Sequence, residues 1–185
     1  MVISSHTPAQ CGTTMIEVLV TIVILTIGLL GMAGLQARLQ VSEMESYQRT
    51  QALILLEDMA NRIATNRSAA ATYVTGSPLG AGTTCPIPPS TPTVQQVDAS
   101  EWCNALQGAA ETSGASKVGA MIGGRGCVAS SIANEYMVTV AWQGMAPISA
   151  PPASVTCGKD LYDGGVCTGD RCRRAITTVV RIGTL

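Results

Sequence analysis

The chain contains no phenylalanine, and aromatic residues make up only 3 % of it. With Trp102, Trp142 and four tyrosines as its only rings, any core has to be assembled mainly from aliphatic side chains. Histidine is nearly absent too: His6 is the only one. Everything after it therefore lacks the base needed for Ser-His or Cys-His catalysis and the imidazoles of most transition-metal centres. Charge is sparse as well, at 12 % of residues and a net of −1. No basic surface is implied, so nucleic acid is not indicated as a partner. Nor does any Cys-x-x-Cys occur, which argues against a zinc site. Carboxylates are not clustered by sequence and no nucleophile motif stands out. The expectation is a non-enzymatic protein with no catalytic residues, no cofactor and no metal.

Chain breakers are missing over a long stretch. No proline occurs between Pro8 and Pro78, and no glycine between Gly34 and Gly76. The proline-free stretch includes Val18 to Ala37, twenty residues without a charge. A helix of that length spans about 30 Å, the thickness of a bilayer core. Further on, Ala52, Leu55, Leu56, Met59 and Ile63 recur at helical spacing, while Glu43, Glu45, Arg49, Glu57, Asp58 and Arg62 take other faces. One helix is expected from about Thr14 to Asn66, roughly 80 Å long at 1.5 Å per residue. Its first half is apolar all round, and its second half is amphipathic. The alternative is a membrane anchor followed by a separate helix. Gly28, Gly31 and Gly34 suit either a close helix-packing face or a softened segment. Glu17 is the single acid at the mouth of the apolar run, where an unpaired carboxylate is costly.

Seven cysteines are present. Cys11 precedes the apolar run. Cys85, Cys103, Cys127, Cys157, Cys167 and Cys172 follow it. An even set on one side of a membrane segment reads as a disulfide framework in an oxidising compartment. Six cysteines permit fifteen pairings. The pairing expected here is Cys85–Cys103, clipping a loop to a short helix; Cys127–Cys157, stapling a strand start to a long loop; and Cys167–Cys172, closing a local turn.

From Ser68 the composition changes. GSPLGAGTTCPIPPSTP, residues 76 to 92, reads as an irregular loop. DASEWCNALQGAAE suggests a short helix capped by Asp98 or Ser100, with Trp102 and Leu106 on one face. A strand is expected near Cys127. In NEYMVTVAWQG, Tyr136, Val138, Val140 and Trp142 alternate with Met137, Thr139 and Ala141, the clearest strand of all. RRAITTVVRIG, from Arg173 to Gly183, is a second, rich in β-branched residues. The long Pro- and Gly-bearing loop between them carries Asp160, Asp163 and Asp170, a faint calcium-loop pattern that fits no EF-hand. Asn66-Arg67-Ser68 matches an N-glycosylation acceptor formally. The fold class is α+β: a long N-terminal helix on a small, disulfide-stapled antiparallel sheet.

CGTTMIEVLVTIVILTIGLLGMAGLQ resembles the class III signal of type IV pilin precursors. In that family a prepilin peptidase cuts after a glycine, the new N-terminus is methylated, and a glutamate lies five residues beyond the cut. Gly12, Thr13 and Glu17 have that spacing. The block IEVLV followed by ILTIGLLGMAGLQ is most similar to the minor pilins of the type IV pilus modification protein PilV family. EWCNAL, GGRGCV, YMVTVAWQG, the Pro-rich loop with TCG, and RRAITTVVRIG also resemble it. The chain departs from the family pattern in three places. Residues 1 to 12 carry no Lys or Arg, Thr13 replaces the usual phenylalanine, and Gly34 stands where major pilins commonly have proline.

The resemblance implies a cleaved leader over 1–12, a transmembrane and filament-core half-helix over 13–37, an amphipathic half over 38–66, and a periplasmic pilin domain over 67–185. It implies cleavage between Gly12 and Thr13, N-methylation of Thr13, and a role for Glu17 as the subunit-assembly carboxylate beside a neighbour's terminal amine. The implied partners are prepilin peptidase, other minor pilins and the major pilin, the inner-membrane pilus assembly platform, and membrane lipid before assembly. The implied location is the inner membrane, single-pass with the globular domain in the periplasm, and then the extracellular pilus near its tip. Twitching motility, adhesion or DNA uptake would depend on it. The competing functions are a type II secretion pseudopilin and a pilus-displayed adhesin or ligand-binding module using the loop from Gly144 to Cys172.

Overall fold

A computed structural model describes Gly12 and residues 14–109, 112–114, 116–117 and 121–183. The expectations for Cys11 and Thr13 lie outside the described residues. The chain divides into two compact units, Met1–Ser42 and Glu43–Leu185. Helix α1, Met15–Thr65, runs unbroken through both, close to the expected Thr14 to Asn66. No Pro or Gly interrupts it after Gly34.

In the second unit, α1 buries Gln48, Ala52, Leu56, Met59 and Ile63, a stripe at spacings of three and four that lies on one helical face. After Thr65 the helix tightens into a 3-10 segment, Arg67–Tyr73. Then come β1 (Leu79–Gly80), α2 (Val94–Leu106), a small hairpin of β2 (Thr112–Ser113) and β3 (Ser116–Lys117), and the longer strands β4 (Arg125–Ile132), β5 (Glu135–Gln143) and β6 (Arg173–Arg181). The main sheet has the order β1-β4-β5-β6, antiparallel throughout. Strands β4 and β5 join through Ala133-Asn134, with Asn134 at φ 62°, a left-handed conformation that asparagine tolerates better than most residues.

Three expectations need correcting. First, α2 starts at Val94, not near Asp98. Thr93 is its cap: the Thr93 hydroxyl accepts from the Gln96 N–H, and the Gln96 side chain accepts from the Thr93 N–H at 3.0 Å. That reciprocal pair caps the helix at Thr93, five residues before Asp98 and seven before Ser100. Asp98 and Ser100 lie inside the helix. Second, the stretch 76–92 is not wholly irregular. Leu79 and Gly80 pair with Gly126 and Arg125 of β4. Third, β5 does not simply alternate. Tyr136, Val138, Val140 and Trp142 face the α1 stripe as expected, but Thr139 and Ala141 are buried as well. Cys127 sits opposite Thr139 in the β4–β5 register, and its disulfide to Cys157 carries the long loop across that second face.

The core centres on Trp102, fully buried on α2. Its indole N–H donates to the Leu55 carbonyl of α1 at 2.9 Å. Gly126 on β4 makes room for the ring: a Cβ there would collide with the Trp102 indole and with Leu106. The cysteines join as Cys85–Cys103, Cys127–Cys157 and Cys167–Cys172, with Cα separations of 5.5, 5.8 and 5.4 Å, all ordinary for a disulfide. These are the three pairs expected.

The loop before β6 is pinned from below. Arg173, 1 % exposed, donates to Asp170 and to the carbonyls of Val155 and Cys157 at 2.7 and 3.1 Å. The Asp163 carboxylate accepts from the N–H groups of Gly169 and Asp170, and Asp170 accepts from the Asp160 N–H. Of the acids that faintly suggested a calcium loop, the Asp163 carboxylate thus closes a turn and the Asp170 carboxylate neutralises a buried arginine.

Candidate assembly segment

In the first unit, every described residue from Thr14 to Ser42 is exposed. Met15 is 90 % and Leu30 73 % exposed, values foreign to aliphatic side chains in a protein core. The helix is long and apolar enough to cross a membrane. Its two hydroxyls inside the run do not seek outside partners. Thr21 donates to the Val18 carbonyl and Thr26 to the Val23 carbonyl, both at 2.8 Å. Side-chain hydroxyls satisfied within their own helix suit a hydrocarbon surrounding. Gly28, Gly31 and Gly34 each face open space, so small residues are available for close approach by another helix.

Glu17 lies in the first turn of α1, and its N–H donates to the Thr14 carbonyl at 3.0 Å. An acid there complements the positive end of the helix dipole. Gly12 is exposed and precedes the helix. Gly12 and Glu17 are therefore brought to one segment, whereas the six paired cysteines all belong to the second unit. Thr13, expected to be the processed and methylated residue, lies outside the described residues.

The second unit contains a polar cluster that sequence reasoning missed. Arg62 of α1 bonds Asp58 at 3.0 Å, Asp98 at 2.6 Å and Glu101 at 2.8 Å. Asp98 also accepts from the Tyr73 hydroxyl at 2.5 Å, and Tyr73 accepts in turn from the Asn66 amide at 3.0 Å. Burial lowers the pKa of the Arg62 guanidinium, but its bonds to Glu101, Asp58 and Asp98 outweigh that and hold it well above the ordinary arginine value. Burial, and then the bond to Asp98, push the Tyr73 hydroxyl up to about 12. The cluster locks α1, the 3-10 segment and α2 together. It also occupies Asn66, the residue of the formal glycosylation triplet. No local pattern announces it, because Asp98 lies 36 residues from Arg62 and 25 from Tyr73.

A long apolar helix packed on a small antiparallel sheet, with three disulfides, defines the type IV pilin-like α+β class. Residues 7–33 match the family model described as the prokaryotic N-terminal methylation motif. That match covers Gly12, Thr13 and Glu17 and supports a type IV pilin or pseudopilin, a structural protein carried on a membrane-capable N-terminal helix. No curated protein and no solved structure matches the chain.

Proposed function

We propose that this protein is a minor pilin of the type IV pilus modification protein PilV kind, which helps prime pilus assembly through its N-terminal helix. In this reading prepilin peptidase cuts after Gly12 and the Thr13 amine is methylated. Residues 13–37 hold the protein in the inner membrane as a single span, and the 67–185 domain lies in the periplasm. The assembly platform then transfers the subunit into the fibre near its tip, beside other minor pilins and the major pilin. Glu17 pairs with the terminal amine of a neighbouring subunit, because a carboxylate in the membrane interior is costly unless paired.

The observation that carries the reading is the methylation motif at residues 7–33, set in front of a helix whose apolar surface is exposed all round. The Glu17→Ala variant is expected to be processed normally but to enter sheared fibres several-fold less than the parent. Normal incorporation would remove the pairing role. A deletion strain is expected to lose pili while retaining type II secretion. The reverse pattern would reassign the protein as a secretion pseudopilin.

A further inference from the structure

The two edges of the main sheet are treated differently. On the β4 side, β1 covers Arg125 and Gly126, the Thr75 N–H donates to the Val128 carbonyl at 2.9 Å, and the Ala81 N–H to the Gly124 carbonyl at 2.8 Å. On the other side β6 is the last strand. Its register against β5 is constant over nine pairs. Bonds flanking both ends, Gly144 N–H to the Cys172 carbonyl and Ile182 N–H to the Asn134 carbonyl, fix which residues serve the ladder. Even-numbered residues of β6 bond to β5, so Ala175, Thr177, Val179 and Arg181 direct their N–H and C=O groups outward. The edge is closed only at its start, where the Ile148 N–H donates to the Arg171 carbonyl and the Arg173 N–H to the Asp170 carbonyl. From Ala175 on, no backbone bond from the described residues reaches it.

This edge lacks the usual protections. Ala175 to Val180 contains no charge, no proline and, in the β5 register, no bulge. Beside its first half lies a cleft of about 330 Å³ lined by Glu45, Arg49, Trp142, Ile148, Arg174 and Ile176, among others. The single acid there is already engaged: Glu45 accepts from Arg174 at 3.1 Å and from the Met145 N–H at 3.0 Å. Arg49 is exposed and makes no ion pair with the described residues. The cleft thus joins an apolar floor to an unspent cation.

We propose that the β6 edge binds an extended acidic peptide segment of a partner protein, adding it to the sheet as a further strand. Backbone bonds to Ala175, Thr177 and Val179 supply the affinity, and alternate side chains supply the choice. Residues of the incoming strand opposite Arg174 and Ile176 point to the α1 side, where an apolar side chain fills the cleft and a carboxylate meets Arg49. A second copy of β6 is the wrong occupant. Residues 173–181 of β6 include three arginines and no acid, so a second copy brings no carboxylate to Arg49. The inference stands on the sheet edge and does not depend on the assembly reading.

The test uses the full chain in detergent micelles and the blocked heptapeptide Thr-Val-Thr-Glu-Thr-Val-Thr, which carries valine and glutamate on one face of the strand, with the same peptide bearing lysine in place of glutamate as comparison. With the glutamate peptide at millimolar concentration, amide exchange at Thr177 and Val179 is expected to slow at least tenfold. Thr178, already bonded to β5, should change less than twofold, and the lysine peptide should have no effect. Val179→Pro removes an outward N–H that the ladder does not use, and is expected to abolish the protection. Arg49→Glu, on an exposed helix face, should reduce it at least fivefold and decides the matter if the proline variant unfolds. Unchanged exchange at Thr177 and Val179, or equal protection by the lysine peptide, overturns the proposal.

Discussion

The two halves of α1 are built from similar aliphatic residues and have opposite fates. From Met15 to Ser42 no residue is buried. From Glu43 to Thr65 one stripe is sealed beneath Trp102, Tyr136, Val138 and Val140. Hydrophobicity alone does not distinguish them, since the first half is the more apolar. The arrangement does. A helix that is apolar all round finds its solvent outside its own chain, whereas one with a single apolar stripe finds it in its own sheet. Met59 and Leu30 are both large aliphatic side chains on one continuous helix, yet they are 2 % and 73 % exposed.

The sharpest way to break this contrast is to make the same change in both halves. Leu56→Ala should destabilise the second unit by about 2–5 kcal/mol, from lost burial and the cavity left behind. Leu30→Ala should leave denaturant unfolding of that unit unchanged. Urea titration of both variants in the same detergent checks it, and equal losses would mean that the first half also belongs to the core. The disulfides sharpen the comparison next. Replacing Cys127 and Cys157 together by serine should cost about 2–5 kcal/mol in the second unit, with no change in the helicity of the first by backbone NMR shifts.

Alkaline pH gives a smaller and more local test. The Tyr73 hydroxyl is pushed up to about 12 in the fold, against about 10 when unfolded. The neutral form is therefore the one the fold favours. Its stabilisation is fully present below pH 10 and is lost as pH rises through 12, up to about 2 kcal/mol. Unfolding midpoints measured from pH 8 to 12 should show that loss, and Tyr73→Phe should reduce it, leaving the part due to the Tyr162 hydroxyl, which burial also pushes up. The smallest effect is expected at the surface. Arg181 bonds Glu135 at 2.6 Å, but its side chain is 76 % exposed, so Glu135→Gln should shift stability by no more than about 0.5 kcal/mol. A larger shift would show that the β5–β6 rim is more buried than described.

Much of the fold was legible because it is written in local patterns. The apolar run, the breaker-free window after Gly34 and the helical spacing from Ala52 to Ile63 together located α1 to within one residue at each end. Alternation and β-branching located β5 and β6. The cap of α2 was legible too, as Thr93 three residues before Gln96, but the acid at Asp98 drew the reading away. Asp98 is instead the shared acceptor of Tyr73 and Arg62, and only tertiary packing makes it so. The two-residue strand β1 and the hairpin of β2 and β3 are too short to carry a periodic signal. The second buried face of β5 depends on a loop more than ten residues away in sequence. At the N-terminal segment the motif residues were legible, whereas nothing among the described residues covers the helix from Thr14 to Ser42.

The order of the disulfides has a consequence for how the protein is made. Each cysteine from Cys85 onward is joined to the next one along the chain, first to second, third to fourth, fifth to sixth. No bond spans another. A chain that meets an oxidant N-terminus first can therefore close every bridge with the nearest thiol already delivered. Among these six, the sequential order means that the native partner of each second cysteine is the thiol delivered just before it.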